Sequence, residues 1–593
     1  MITLAGAFTW SRPDAGAGLA ERLARRACRL PALAHRCVVR TPHLVCFAIE
    51  RPGSAGRIET WRGEDGSTCL VGGRVLGAGG SLRSVFRPAL EEEPGRAVDA
   101  DGLWLALAVR AGGAGLRLQS DPLGVAWLYL ARWEGGCLFS GDYGALLRTI
   151  PDTPQLDEET ALVTLALSYA PDARTCARGV EMLPGGTLVE VSQRGTSILS
   201  TLAPPYGDRH SALPDSKKQE LLEGVLEEGI HAWCDEAAPP LVLSLSGGND
   251  SRFALAHLAR RGNPPRCVTF GHPRSPDVRA ARATARRAGL TTRIFYRRDV
   301  TSWPAWRRCI EQVGTTGGFQ WSGWAEDWLA FVRESGGSAL LGYLGDTYSG
   351  KNLADLPGHP DDWFENWIAW SLDEGWSGSP LLTTEAQRNM EAAVRERFRA
   401  IVEGLRVAYP HQIQVHLGLA GRLRRHVAAQ PNLMARFVDP VLFFYTSAQR
   451  RFWTNLPYED LRDQRLYLAY AANRFPRLFP PEHRASIPAR AAGAARHWAI
   501  SHAPSLRPWL APPEIDIARH VTENRGQILE LLEDAGPIVG HWFRFHALRE
   551  ALASFPTSRR ITAFQAVRLA SLLLVLQAGA PRGPDPPVPG EVG

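Results

Sequence analysis

The residues with the clearest chemical potential in this 593-residue chain lie between Leu241 and Arg252, in the run Leu-Val-Leu-Ser-Leu-Ser-Gly-Gly-Asn-Asp-Ser-Arg. The apolar stretch from Leu241 to Leu245 predicts a buried strand, and the apolar periodicity after Gly248 predicts a helix. A strand, a glycine turn and a helix N-terminus together favour an anion, because backbone N–H groups and the helix dipole point at it. The run therefore predicts a phosphate-binding turn.

The side chains of this turn divide into anion contacts and a metal ligand. Two adjacent glycines let the backbone approach a phosphate without a Cβ in the way, and the serine hydroxyls add donors. Asp250 would repel a phosphate, so it suits the Mg²⁺ that accompanies one. No Walker-type Gly-Lys-Ser/Thr follows, and a strand–helix turn that happens to use glycine is the alternative. The predicted nucleotide contacts here are Ser244, Ser246, Gly247, Gly248, Asp250 and Ser251.

A second carboxylate follows a short apolar run farther along the chain. Residues Ser338 to Gly350 read Ser-Ala-Leu-Leu-Gly-Tyr-Leu-Gly-Asp-Thr-Tyr-Ser-Gly, which predicts a strand and then a glycine-rich turn carrying Asp346. Ligands of open α/β sheets sit at the carboxyl ends of the strands. We therefore expect Asp250 and Asp346 to hold Mg²⁺ and a triphosphate between them, with Gly342 as a further nucleotide contact.

The segments around these turns predict a doubly wound parallel sheet. Arg266 to Gly271 and Thr292 to Tyr296 are predicted strands, and the helix between them begins with Ser275 as N-cap and Pro276 in its first turn. Strand, helix, strand, helix, strand in this order is typical of such a sheet.

The rest of the chain predicts a different organisation at each end. Residues 1–205 contain many short, glycine-punctuated β-like runs, which favour sheet packed on sheet. Residues 201–217 are polar and rich in proline, which predicts a linker. We expect a second domain over 217–577 that ends in helices, and a disordered tail over 578–593.

The two acidic turns resemble those of asparagine synthetase, β-lactam synthetase and the lasso-peptide macrolactam synthetases. The Ser-Gly-Gly-x-Asp-Ser pattern is similar to the pyrophosphate loop of the ATP pyrophosphatase superfamily. The segments Leu116 to Gly124 and Phe139 to Leu147 resemble class II glutamine amidotransferase domains. The resemblance implies an α+β N-terminal Ntn-type sandwich, followed by an α/β doubly wound sheet of the ATP-pyrophosphatase fold with a helical C-terminal part. It also implies that Phe270 contacts adenine.

The same resemblance implies an ATP- and Mg²⁺-dependent ligase. Such an enzyme adenylates a substrate carboxylate, releases pyrophosphate, and forms an amide when an amine displaces AMP. Attack by an amine of the same substrate gives a macrolactam, so a lasso-peptide cyclase is the first choice. Its partner would be a precursor peptide, handed over by a protease or a leader-binding protein. The alternatives are an asparagine-synthetase-like enzyme acting on a small metabolite or glycan, β-lactam synthetase, and a non-catalytic nucleotide-binding relative.

Three positions depart from the family pattern. Residue 2 is Ile where working glutaminases expose a cysteine, so we expect no glutaminase activity. Tyr343 replaces the glutamate of asparagine synthetases, as in β-lactam synthetase, where a Tyr–Glu pair transfers a proton. Tyr343 is thus a predicted catalytic residue, with Glu365 or Glu374 as its partner, or else an ordinary packing residue. The family's downstream lysine is missing, and the candidates to replace it are Lys351, Arg484 and Arg490.

The composition of the chain argues against several other classes of protein. The net charge of +6 is small for 593 residues, and the dense run from Arg422 to Arg425 is interpreted as a solvated helix face. None of the nine cysteines forms a Cys-x-x-Cys pair, which argues against structural zinc. No signal peptide or membrane-spanning stretch is evident. We therefore expect a cytoplasmic protein that binds neither nucleic acid nor membranes.

Overall fold

The fold is taken from a computed structural model, which describes residues 2–10, 15–28, 33–93, 95–296, 302–317, 325–351, 353, 362–373, 375–480 and 516–579, with backbone only for 325–328. Most of the predicted tail, from residue 580 onward, lies outside this range.

Two six-stranded antiparallel sheets form the N-terminal part of the protein. Their strands are β1 Thr3–Thr9, β2 Ala34–Arg40, β3 Leu44–Glu50, β4 Arg57–Arg62, β5 Thr68–Val75, β6 Gly102–Val109, β7 Leu116–Ser120, β8 Tyr129–Trp133, β9 Gly136–Ser140, β10 Val180–Met182, β11 Thr187–Ser192 and β12 Gly195–Thr201. The strand orders are β10-β8-β9-β1-β3-β2 and β12-β11-β7-β6-β5-β4. Four helices accompany the sheets: α1 Ala17–Ala27, α2 Leu82–Leu90, α3 Tyr143–Leu147 and α4 Glu158–Leu167.

The strand β6 shows why these residues stack as layers. All eight of its residues are buried, and successive side chains of a strand point to opposite faces. Leu103, Leu105 and Leu107 belong to the main core, which continues into the first sheet. Trp104, Ala106 and Ala108 pack instead in a smaller core with α2. The second sheet is therefore covered on both faces at β6, near its centre.

A five-stranded, wholly parallel sheet forms the centre of the second part. Its order is β15-β14-β13-β16-β17, and its strands are β13 Leu241–Ser244, β14 Arg266–Phe270, β15 Thr292–Phe295, β16 Ser338–Leu340 and β17 Pro440–Val441. Parallel strands place their carboxyl ends at one edge. The turns after β13, β14 and β16 therefore meet there, as predicted.

Helices surround this sheet and make up the C-terminal part. They are α5 Asp215–Ile230, α6 Asn249–Arg260, α7 Pro276–Arg287, α8 Trp303–Val313, α9 Ala325–Glu334, α10 Gly345–Tyr348, α11 Trp363–Asp373, α12 Thr384–Glu403, α13 Pro410–Leu417, α14 Ala429–Met434, α15 Ser447–Trp453, α16 Tyr458–Leu461, α17 Arg465–Arg474, α18 Ile517–Glu523, α19 Arg525–Val539, α20 Phe545–Ala553 and α21 Ala563–Leu576. A π-helical segment, Gly418–Val427, joins α13 to α14.

The predicted architecture is confirmed at this level: antiparallel sheets first, then a parallel sheet, then helices. Ser275 caps α7 as predicted, since its hydroxyl accepts the N–H of Val278. The fifth strand, β17, was not predicted. It contains only two residues, and so short a run carries no periodicity that a sequence pattern could reveal.

The prediction of a solvated face for Arg422 to Arg425 is wrong for two of its arginines. Arg424 and Arg425 are buried and donate to main-chain carbonyls of the N-terminal part. Arg424 reaches Leu183, and Arg425 reaches Ala170 at 3.1 Å and Arg174 at 2.8 Å. Arg422 alone is exposed. The cluster therefore joins the two parts of the chain.

Within the described ranges, none of the helices is both long enough and apolar enough to cross a bilayer.

Replacing Arg425 by alanine should destabilise the protein by about 2–4 kcal/mol, because two buried carbonyls lose a charged donor. Urea denaturation followed by tryptophan fluorescence measures this change. Arg422→Ala, three residues earlier in the same segment and exposed, is the matched control and should change stability by less than about 0.5 kcal/mol. Equal effects of the two substitutions would contradict the burial argument.

Candidate functional site

The first turn of the site is held together by its own hydroxyl groups. The N–H of Ser246 donates to Ser251 Oγ at 3.0 Å, and the N–H of Gly248 donates to Ser246 Oγ at 3.1 Å. The two hydroxyl oxygens lie 3.1 Å apart. These bonds fold residues 245–248 tightly onto the beginning of α6, so the predicted contacts Ser246, Gly247, Gly248 and Ser251 do share one turn.

The glycine N–H at the tip of this turn already has an acidic partner. The N–H of Gly247 donates to Asp277 Oδ1 at 2.7 Å, and a Cβ on Gly247 would lie 2.6 Å from the same oxygen. Arg252 donates to the Gly247 carbonyl at 3.0 Å. A carboxylate oxygen occupies the position that an anion would take, and a bound phosphate would have to displace Asp277 or share this donor with it.

The second turn approaches the first so closely that only glycine fits at two positions. A Cβ on Gly345 would lie 2.3 Å from Asp250 Cγ, and a Cβ on Gly342 would lie 2.8 Å from Asp250 Cβ. Between them, Leu344 has φ = 81°, a conformation that is strained for a residue with a side chain. The two glycines and the strained leucine bring the second turn onto Asp250.

Asp250 and Asp346 are thereby placed together, as predicted. The N–H of Asp346 donates to Asp250 Oδ2 at 2.7 Å, and the Tyr467 hydroxyl donates to Asp250 Oδ1 at 3.1 Å. On the outer side, Lys351 Nζ lies 2.7 Å from Asp346 Oδ2. Asp346 Oδ1 is buried without a hydrogen-bond partner among the described residues. One carboxylate is thus buried, and the other keeps an unsatisfied oxygen beside it.

The electrostatics of this pair suit a cation. Burial, reinforced by the charge of Asp346, raises the pKa of Asp250 to about 8. A divalent cation would remove that repulsion and satisfy Asp346 Oδ1. The described residues contain no group of three or more His, Cys, Asp or Glu side chains that could hold a metal. Two carboxylates alone fit Mg²⁺, which takes its remaining oxygens from phosphates and water.

The other predicted nucleotide contacts lie at the same edge of the sheet. Ser244 ends β13 and Phe270 ends β14. Phe270 is buried, with its ring 6.3 Å from that of Phe295. Gly342 lies two residues beyond β16. The structure therefore brings every predicted nucleotide-contact residue to the carboxyl edge of the parallel sheet, and we call this edge the nucleotide rim.

The predicted catalytic tyrosine lies deeper than expected. Tyr343 is 5% exposed, and its hydroxyl donates to the Leu423 carbonyl at 3.4 Å. Glu365, one proposed partner, forms an ion pair with Arg395 instead. The other proposed partner, Glu374, lies outside the described residues, as do Arg484 and Arg490. The role of Tyr343 stays a prediction, and so does that of Lys351, which is half-exposed beside Asp346.

Sequence reasoning missed three polar residues that support the site. Asp277 contacts the first turn and Tyr467 contacts Asp250, while Gln464 bridges the turns by accepting from Asn249 at 3.0 Å and donating to Ser349 at 2.5 Å. Asp277 follows the N-cap of a predicted helix, and this was the only available signal. Tyr467 and Gln464 lie more than 200 residues from the first turn, so no local pattern could indicate them.

A scan against protein-family models finds no match, and no curated protein matches the sequence.

The raised pKa of Asp250 predicts an unusual pH dependence for the metal-free protein. The folded state keeps a proton that the unfolded chain releases near pH 4, so linkage lowers the free energy of unfolding between about pH 4 and about pH 8. In chelator-containing buffer, Asp250→Asn should raise the thermal midpoint relative to wild type by several degrees more at about pH 8 than at about pH 5. The control Asp463→Asn removes a carboxylate that is 89% exposed and should show no such difference. A pH-independent offset for Asp250→Asn would contradict the assignment.

Proposed function

We propose that the protein is an ATP- and Mg²⁺-dependent carbon–nitrogen ligase that adenylates a substrate carboxylate and transfers the acyl group to an amine. The observation that carries this proposal is the contact of Asp346 N–H with Asp250 Oδ2 at 2.7 Å. It joins two acidic turns at the carboxyl edge of one parallel sheet, beside a glycine turn at a helix N-terminus. This is where α/β proteins of this topology bind nucleotides.

Each part of the rim has a task in this proposal. The turn of Ser246, Gly247 and Gly248 would bind the phosphates through N–H and O–H donors, once a phosphate oxygen takes the place of the Asp277 carboxylate on the Gly247 N–H. Asp250 and Asp346 would hold Mg²⁺, which supplies charge neutralisation to the triphosphate. Lys351, which pairs with Asp346, would supply a positive charge to the bound phosphates in place of the missing family lysine. Phe270, at the end of the neighbouring strand, would pack against the adenine.

The amine is expected to come from the substrate and not from glutamine. Among the cysteines of the described N-terminal part, burial raises the pKa of Cys28 and raises that of Cys69 to about 11, so these thiols are not activated as nucleophiles.

We infer that the two antiparallel sheets are a non-catalytic Ntn-type sandwich and that the parallel sheet has the ATP-pyrophosphatase fold. A substrate with both a carboxylate and an amine would give a lactam, because tethering replaces a bimolecular step. The lasso-peptide cyclase remains the first choice, in cytoplasm, with a precursor peptide as partner.

A non-catalytic nucleotide-binding protein is the second candidate. The observation in its favour is the buried Tyr343 hydroxyl, which donates to the Leu423 carbonyl and not to a carboxylate among the hydrogen bonds of the described residues. An asparagine-synthetase-like enzyme that uses free ammonia would not need the Tyr343 hydroxyl either. Pyrophosphate exchange distinguishes a ligase from a non-catalytic nucleotide-binding protein. Dependence on free ammonia distinguishes the asparagine-synthetase-like enzyme from a cyclase.

The decisive measurement is ATP–pyrophosphate exchange with radiolabelled pyrophosphate, Mg²⁺ and pools of carboxylate-bearing peptides. Asp250→Ala and Asp346→Ala should each lower exchange by at least about 100-fold, since each removes charge stabilisation at the phosphates. Asp463→Ala, an exposed acid, is the control. Exchange that survives both substitutions would overturn the metal assignment, and MgATP binding without exchange would favour the non-catalytic candidate.

The close approach of the two turns gives a second test that leaves every predicted ligand in place. Gly345→Ala puts a Cβ 2.3 Å from Asp250 Cγ, and overpacking of this kind costs about 1–3 kcal/mol. Binding of MgATP, measured by isothermal titration calorimetry, should weaken by roughly 5- to 150-fold, because the new methyl group pushes Asp250 away from Asp346. Gly224→Ala on α5 has nothing within 4 Å of the new methyl group and should bind like wild type. Unchanged binding by Gly345→Ala would show that the turns need not stay in contact.

A further inference from the structure

A cleft of about 400 Å³ lies between the N-terminal part and the C-terminal helices. Its volume falls in the range of about 300–1,000 Å³ that is typical of ligand sites. One wall is the end of α4 with Ser168 and Tyr169, and the opposite walls come from α11, the π-helical segment and α21. Elements from both parts of the chain therefore enclose it.

Among the described residues, the charged groups of the cleft are mainly cationic. Arg422 and Arg568 line it, together with His426 and the carboxylate Asp373. Burial and the two neighbouring arginines lower the pKa of His426 to about 3, so its ring is neutral and offers a hydrogen bond, not a charge. The ring also interacts with the main chain of Ser168, while His426 Nδ1 is buried without a hydrogen-bond partner among the described residues. Arg568 is partly engaged by the Ala166 carbonyl, which leaves Arg422 as the more available cation.

Large apolar side chains are exposed in the same cleft. Trp370 is 43% exposed and Phe564 is 61% exposed, and both line it. Only six large hydrophobic side chains are exposed in the described part of the chain, so two in one concave site is a concentration that signals binding. Rings beside an arginine suit a ligand that carries both an apolar group and an acid.

The cleft adjoins the nucleotide rim. A second hollow, about 20 Å³ in volume, is lined by Thr347, Gly418, Trp370 and Arg422. Thr347 directly follows Asp346, while Trp370 and Arg422 also line the large cleft. The hollow has room for about one water molecule. The hollow therefore lies between the residue that follows Asp346 and two residues that line the cleft.

We propose that this cleft binds a non-reacting segment of a peptide substrate, one that carries a carboxylate and a bulky apolar side chain. Arg422 and Arg568 pair with the carboxylate, His426 donates or accepts a hydrogen bond, and Trp370 and Phe564 pack on the apolar side chain. This inference rests on the proposed ligase function, because the segment would be held while the reacting carboxylate enters the nucleotide rim.

Photo-cross-linking tests the cleft without any ATP chemistry. The probe is N-acetyl-4-benzoyl-phenylalanine, an aromatic carboxylate, and mass spectrometry of the full-length protein locates the labelled peptides. Labelling should fall on α11, α21 and the π-helical segment. It should drop about fivefold or more with the carboxamide form of the probe and in Arg422→Gln, because each removes one half of a charge-assisted hydrogen bond. Phe564→Ala should reduce labelling by both forms of the probe.

Arg462→Gln is the matched control, since Arg462 is 63% exposed and does not line the cleft; its labelling should equal that of wild type. Labelling elsewhere, or labelling equal for the acid and the amide, would overturn the cleft proposal. Pyrophosphate exchange, measured separately, keeps the two proposals distinguishable. Exchange without cleft labelling would reject the cleft alone, and cleft labelling without exchange would reject the ligase alone.

Discussion

The buried carboxylate of Asp250 is the constraint on which the site depends. Its two oxygens accept from the Asp346 N–H and the Tyr467 hydroxyl, and these donors come from segments 96 and 217 residues away in sequence. Each donor lowers the cost of keeping an acid away from water. The same contacts fix the second turn and α17 against the first turn, so one side chain sets the relative position of three parts of the chain.

The arrangement around Asp250 lowers the stability of the folded protein and prepares the site to bind a ligand. The pKa of Asp250 is raised to about 8, Leu344 has a positive φ, and Asp346 keeps a buried oxygen without a described partner. Each feature costs free energy in the ligand-free protein. Unfavourable features that cluster in one place are typical of functional sites, and a cation would relieve the two that involve carboxylates.

Much of the fold could be predicted because the relevant signals are local. The apolar run before Ser246, the N-cap at Ser275 and the glycine-rich turn around Asp346 each lie within a dozen residues. The residues that complete the site, Tyr467 and Gln464, reach it only through tertiary folding. Arg424 and Arg425 were wrongly predicted to be exposed, because that prediction rested on their charge alone. Their guanidinium groups are buried because carbonyls of the N-terminal part accept their hydrogen bonds, and no charge pattern reports such partners.

The way in which Arg424 and Arg425 join the two parts of the chain affects which substitutions the protein tolerates there. Both arginines bond to main-chain oxygens of Leu183, Ala170 and Arg174, and every residue type carries such an oxygen. These contacts therefore tolerate a change of side chain at Leu183, Ala170 and Arg174 as long as the backbone keeps its course. The ion pairs of Arg436 with Asp142 and of Arg450 with Asp99 join the same two parts, and these contacts hold only while both side chains are kept.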